Sequence, residues 1–184
     1  MSKKMRKTNP AKTAFVLIDI QERLLPHISN HEEVVANANK LIKGAEILGI
    51  ELLVTEQYPK GLGHTDKKIE MPTESDLTEK ICFSCIQSDE FLGKLKQRRI
   101  KSLVLFGIET HVCVFKTALD ALRKKFEVHI VADAVGSRTD KNRNIAIKRM
   151  ENAGAYIVST EMILFQMIDE AGNDTFKAIS QLIK

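Results

Sequence analysis

Short apolar runs rich in Val and Ile recur along this chain with segments of helical periodicity between them, and this alternation constrains the fold more than any other feature. The runs fall at residues 14–18, 52–55, about 80–83, 103–106, 128–132 and 156–159, which predicts six strands. Across residues 33–48, Val34, Ala38, Leu41, Ile42, Ala45 and Leu48 share one helical face. Val112, Phe115, Leu119 and Leu122 repeat that spacing farther along. Strands that alternate with helices are joined by right-handed crossovers, so they pair in a mostly parallel sheet covered on both faces. The expected fold is a three-layer αβα domain around a six-stranded, doubly wound, Rossmann-like sheet.

A chain of 184 residues suits one such domain. A flexible basic tail is expected over residues 1–12 and the single domain over 13–184. The tail carries Lys3, Lys4, Arg6, Lys7 and Lys12 but no apolar h-region, so it reads as a solvated tail or a short mitochondrial signal rather than a secretory leader. The lack of a helical apolar face favours the tail. No apolar run approaches the roughly 18 residues that span a bilayer, so no membrane partner is expected. Three cysteines, an odd count, argue for reduced thiols in the cytoplasm. The net charge is +4, and the clusters Arg98-Arg99 with Lys101 and Arg123-Lys124-Lys125 lie at helix ends, where cations complement the dipole. No aromatic residues interleave with them, so no nucleic-acid partner is expected.

In a doubly wound sheet, ligands bind beyond the carboxyl ends of the strands, where the strand order reverses. Asp19 closes the first predicted strand. Cys113 follows the fourth, after Gly107, in the first turn of a helical segment. A helix start favours the thiolate, which predicts a lowered thiol pKa. If strands one and four are neighbours, Asp19 meets Cys113 and can accept its proton. The carboxylate charge also raises the thiol pKa, so a nearby cation would help hold both groups ionised. Lys80, opening residues 80–84 after a polar loop, is the candidate. Each residue alone has a plainer reading: Cys113 as a small buried hydrophobe, Asp19 as a cap or loop residue, Lys80 as a solvated side chain.

The string Phe15-Val16-Leu17-Ile18-Asp19-Ile20-Gln21, the spacing from Lys80 to Ser84, and Gly107-Ile108-Glu109-Thr110-His111-Val112-Cys113-Val114 together resemble the isochorismatase-like cysteine hydrolases. The subgroup of isochorismatase-domain-containing proteins is also similar across residues 55–63 and 129–134, so the resemblance covers nearly the whole chain. It implies a catalytic Asp-Lys-Cys triad, carried onto Asp19, Lys80 and Cys113. It also implies a six-stranded parallel sheet, a non-proline cis peptide just before the thiol-bearing helix, and a homo-oligomer, dimer or higher.

The expected activity is that of a small-molecule hydrolase acting on an amide, carbamate or related electrophilic carbon. Backbone N–H groups around Glu109, Val112 and Cys113 would receive the oxyanion. Gln21, Gln57, Tyr58 and Thr110 are the expected substrate contacts. No cofactor enters the scheme, and no metal site is expected: nicotinamidases of similar design carry an Asp-x-His type site after the second strand, whereas residues 56–66 offer one histidine, His64. Cys82-Phe83-Ser84-Cys85 has CxxC spacing, which leaves a redox pair open beside coincidence. His111 reads as packing or solvent-facing rather than as a base for the thiol. A noncatalytic small-molecule-binding or oligomer-scaffold protein that keeps the fold is the alternative function.

Overall fold

Every residue of β1 (Thr13–Ile18) is buried, so this run needs cover on both faces and takes the middle of a sheet. The structure, a computed structural model, describes residues 8–184. After β1 come α1 (His31–Leu48), β2 (Glu51–Gln57), the single turn α2 (Pro59–Leu62), β3 (Asp76–Lys80), α3 (Asp89–Gln97) and β4 (Ser102–Ile108). A widened turn, Thr110–Val114, leads into α4 (Phe115–Arg123), followed by β5 (Glu127–Gly136), α5 (Asp140–Ala153), β6 (Tyr156–Val158), α6 (Thr160–Gln166) and α7 (Asp174–Ile183). All strand pairs are parallel, in the order β3-β2-β1-β4-β5-β6.

Side-chain alternation along the strands divides the core into two layers. Phe15 and Leu17 pack with Leu41 of α1, Leu164 of α6 and Ile179 of α7. Ala14, Val16 and Ile18 pack with Leu95 of α3, Ala118 of α4 and Met150 of α5. Four helices begin on a side-chain cap, with Ser88, Thr139, Ser159 and Asn173 accepting from the N–H groups of Phe91, Asn142, Met162 and Phe176. Each such cap is worth about 1 kcal/mol and fixes where its helix leaves the preceding loop.

From β1 the chain moves to β2 and β3 on one side, then returns to lay β4 against the other edge of β1. The order reverses there, so the carboxyl ends of β1 and β4 flank the crevice of a doubly wound sheet. Their close approach depends on Gly107, which pairs with Ile18 at a φ of +118°; a Cβ there would stand 2.1 Å from the Ile18 carbonyl oxygen.

Two boundaries differ from those expected. Lys80 closes β3 rather than opening a strand over 80–83. As an edge strand, β3 buries only alternate residues, Thr78 and Lys80, so it offers no continuous apolar run. Ile81 and Phe83, which looked like strand core, are 73% and 48% exposed. The packed region also begins before Thr13: Thr8 is buried, accepts from Gln166 Nε2 at 2.6 Å and donates to Glu127. Asn9 caps a short turn over Pro10–Lys12. Residues 1–7 of the expected tail lie outside the described residues. Among the described residues no helix is long and apolar enough to cross a membrane.

Replacing Gly107 with Ala forces a side chain into the β1 backbone at a left-handed φ. Urea denaturation should show a loss of about 3 kcal/mol or more, or no folded protein; an unchanged midpoint would contradict this view of the β1–β4 contact.

Candidate active site

Four adjacent strands lead to one cluster of polar groups at the same rim. At the end of β1, Asp19 adopts a left-handed backbone (φ 51°), a conformation that Asp tolerates better than most residues. Its N–H donates to the Thr55 carbonyl, and its own carbonyl accepts from Gln21 N–H, so the chain turns sharply here. From β2, the Thr55 hydroxyl donates to Asp19 Oδ1 at 2.7 Å. From the end of β3, Lys80 Nζ donates to Asp19 Oδ2 at 2.6 Å and to Gln57 Oε1 at 3.0 Å. From the turn after β4, Cys113 brings its buried thiol within electrostatic reach of Asp19 and Lys80. Asp19 and Lys80 have fully buried side chains, and Cys113 is 5% exposed.

The widened turn under Cys113 is closed by Val114 N–H donating to the Glu109 carbonyl and Phe115 N–H donating to that of Thr110. The peptide bond between Ile108 and Glu109 is cis, at the place the family resemblance implies. The resemblance also implies the parallel six-stranded sheet, which is present.

Burial sets the protonation of the cluster. It pushes the Asp19 carboxyl above its ordinary range, against the pull of the Lys80 charge and of hydrogen bonds from Lys80 and Thr55. It pulls the Lys80 ammonium down, but the Asp19 charge and the two neighbouring thiols outweigh it, and the net direction is up. Each of the two thus favours the charged form of the other, against burial. Burial first, and the Asp19 charge second, raise the Cys113 thiol far above an ordinary thiol, with Lys80 opposing. The expected lowering at a helix start is thus reversed: about half a charge from the helix end is outweighed by desolvation and a full anion. Cys113 therefore rests as a protonated thiol beside the Asp19 carboxyl.

The other expected contacts divide. Gln21 is fully buried; its Nε2 donates to the carbonyls of Gln57 (3.0 Å) and Gly63 (2.6 Å), and its Oε1 accepts from Gln57 N–H. Gln57 is spent on Lys80 and on the Ile81 carbonyl. Thr110 is fully buried and donates to the Gly136 carbonyl at 2.8 Å. These three hold the strand ends together through these bonds. Tyr58 differs: it is half exposed and lines a cavity of about 340 Å³ with Pro59, Lys60, Glu79, Lys80 and Ile81. Among the expected oxyanion donors, Val112 N–H is already committed to the Glu109 carbonyl at 3.0 Å. The Glu109 side chain pairs with Arg138 instead of facing the thiol.

His111 is half-buried with Nδ1 3.0 Å from Ser137 Oγ. His64 pairs with Glu56, whose second oxygen accepts from the N–H and hydroxyl of Thr65. Among the described residues no group of three or more His, Cys, Asp or Glu side chains is placed to hold a metal ion. Cys82 is half-buried and Cys85 fully buried, and both are free thiols. Cys85 lies 3.7 Å from Thr55 Oγ1, and burial pushes it up to about 11. Thr55 is the site residue that sequence reasoning passed over, although it is a polar residue near a strand end, the same signal that marked Asp19.

The Isochorismatase domain family matches residues 13–162. The chain belongs to the isochorismatase family. It is 39% identical over 175 residues to "Isochorismatase domain-containing protein 1" of Salmo salar, covering 95% of this chain but only 62% of that one. It is 36% identical to the "Secreted isochorismatase effector Isc1" of Phytophthora sojae, covering all of this chain and 90% of that protein. Among solved structures it is similar to the "MAR1 Ribonuclease" of Caenorhabditis elegans, with a TM-score of 0.90 and 35% identity over 97% of this chain and 92% of that one.

Two measurements probe the cluster of this isochorismatase-family chain. Lys80→Met leaves Asp19 as a buried, uncompensated anion, so unfolding should show a loss of about 3–5 kcal/mol, and Asp19→Asn in the same chain should restore part of it. In iodoacetamide labelling followed by peptide mass spectrometry, Cys113 should react only at strongly alkaline pH. Because the Asp19 anion raises this thiol, Asp19→Asn should move the Cys113 profile to lower pH; an unmoved profile would separate the two groups.

Proposed function

We propose that the chain is a small-molecule hydrolase that uses Cys113 as nucleophile, Asp19 as general base and acid, and Lys80 as the cation that holds Asp19 ionised. The observation that carries this reading is the fully buried ion pair of Lys80 with Asp19 at 2.6 Å, at the end of the strand beside the one that leads to the buried Cys113. A raised thiol pKa suits this arrangement: the proton moves to Asp19 as sulfur attacks the electrophilic carbon, so no free thiolate waits in the resting site. The carbonyl electron pair goes to oxygen, and the proposed oxyanion donors are the Glu109 and Cys113 N–H groups. Asp19 then returns its proton to the leaving amine or alcohol, leaving a thioester. Water, deprotonated by Asp19, releases the acid and restores the thiol.

The proposed substrates are amides, carbamates and esters of small molecules, with the Tyr58 cavity taking the part beyond the reacting carbon. Ile81, at 73% exposure, lines that cavity, and Phe83 is also exposed. This is apolar surface that a second copy of the chain would cover, in keeping with a homo-oligomer. Three free thiols support a reducing compartment, the cytoplasm, as the site of action; the name of the Phytophthora relative refers to secretion of that protein.

Turnover should be assayed on a panel of amides, carbamates and esters, with RNA included because of the name of the nematode structure. Cys113→Ala should keep the thermal midpoint and lose about 10³-fold or more in kcat/KM on whichever member turns over. Activity that survives this change would move the chemistry elsewhere, and a panel with no turnover at all would favour the binding or scaffold reading.

A further inference from the structure

Helices α3 and α4 end side by side at the edge of the sheet opposite the thiol, because each leads into one of the neighbouring strands β4 and β5. Both ends close in the same way. After α3, Arg99 N–H donates to the Lys96 carbonyl and Ile100 N–H to that of Leu95. After α4, Lys125 N–H donates to the Leu122 carbonyl and Phe126 N–H to that of Ala121. The pivot residue is left-handed in each, with φ of 55° at Arg99 and 66° at Lys125. Helices α1 and α5 close with the same pattern, but there the pivots are Gly49 and Gly154, the residue that this backbone favours. Two of the four ends thus place a long basic side chain where glycine is the least strained choice. Those two are the pair that share a cavity.

The cavity has a volume of about 330 Å³, and Lys96, Arg99, Lys101, Lys124 and Lys125 surround it. Leu95, Ile100 and Phe126 complete its wall. The basic residues just outside have carboxylate partners: Lys94 on Asp76 and Glu90, Arg98 on Glu51 and Asp76, Arg123 on Asp120. Among the described residues, none of the five facing the cavity has one. Complementing helix dipoles does not account for five cations, since two helix ends together supply roughly one negative charge. Charge in excess, with no counter-ion built into the fold, marks an anion site.

We propose that this cavity binds a ligand carrying two or more phosphates. The Arg99 guanidinium offers a planar fork for phosphate oxygens, the four lysines neutralise the remaining charge, and Phe126 gives an apolar face to the rest of the ligand. The site is separated from Cys113 by the length of β4, roughly 23 Å at about 3.3 Å per residue, so its occupant is not the hydrolysed substrate. The two basic clusters are 25 positions apart in the sequence (99 against 124) and read there as separate helix ends; parallel pairing of β4 and β5 makes them one surface.

The test is isothermal titration calorimetry of the full chain with pyrophosphate, ATP and a short oligouridylate, at low and physiological ionic strength. Wild-type protein should bind at least one probe at sub-millimolar concentration, more weakly as salt rises. The Arg99→Gly/Lys125→Gly variant should keep or raise the thermal midpoint, because glycine relieves the left-handed pivots, yet bind about tenfold more weakly or worse. Lys96→Gln/Lys124→Gln, at exposed positions, should weaken binding in the same direction. Tighter binding of ATP or pyrophosphate assigns the phosphates to a free nucleotide-like ligand, and tighter binding of the oligouridylate to a nucleic-acid backbone. No heat from any probe at low salt, or undiminished affinity in both variants, would overturn the proposal.

Discussion

The ion pair between Asp19 and Lys80 is the interaction on which the site depends. At 2.6 Å its gross attraction is about 6 kcal/mol for an effective dielectric near 20, while taking both charges out of water costs several kcal/mol for each ion. The two are of similar size, so the pair adds little to the stability of the fold. The apolar layers on both faces of the sheet hold it in place. Its consequence is chemical: Lys80 favours the ionised form of Asp19, close to a thiol, in a place where burial disfavours it.

Strand order makes that convergence possible. Asp19, Thr55, Lys80 and Cys113 come from the carboxyl ends of β1, β2 and β3 and from the turn after β4, which are consecutive in the sheet though spread over 95 positions of the chain (19 to 113, inclusive). Gln21 and Gln57 spend their amides on neighbouring backbone, so the rim is a fixed frame rather than a set of loose loops. In the proposed mechanism such a frame keeps the thiol and the carboxyl in place as the proton passes between them.

The sequence makes parts of this legible and hides others, for physical reasons. β1 and β4 are buried on both faces, so they read as continuous apolar runs, and the switch-point rule then picks out Asp19 and Cys113 at their ends. β3 is an edge strand whose inward residues are Thr78 and Lys80, so neither its position nor the role of Lys80 follows from hydrophobic pattern. Lys80 came into view through charge balance and family resemblance. Gln21, Gln57 and Thr110 look like ligand contacts because they are polar at the right rim. Sequence cannot show that backbone carbonyls and a lysine already occupy them. The direction of the Cys113 shift was hidden for a similar reason, since it turns on burial and on the nearness of Asp19, both products of the fold.

Peptide mass spectrometry on protein quenched during turnover tests the central claim most directly. An acyl group should be found on Cys113, accumulating in wild-type protein and absent when Asp19 is replaced by Asn. An acyl group on Cys85 or Cys82, or steady turnover with no covalent species on any cysteine, would contradict the account.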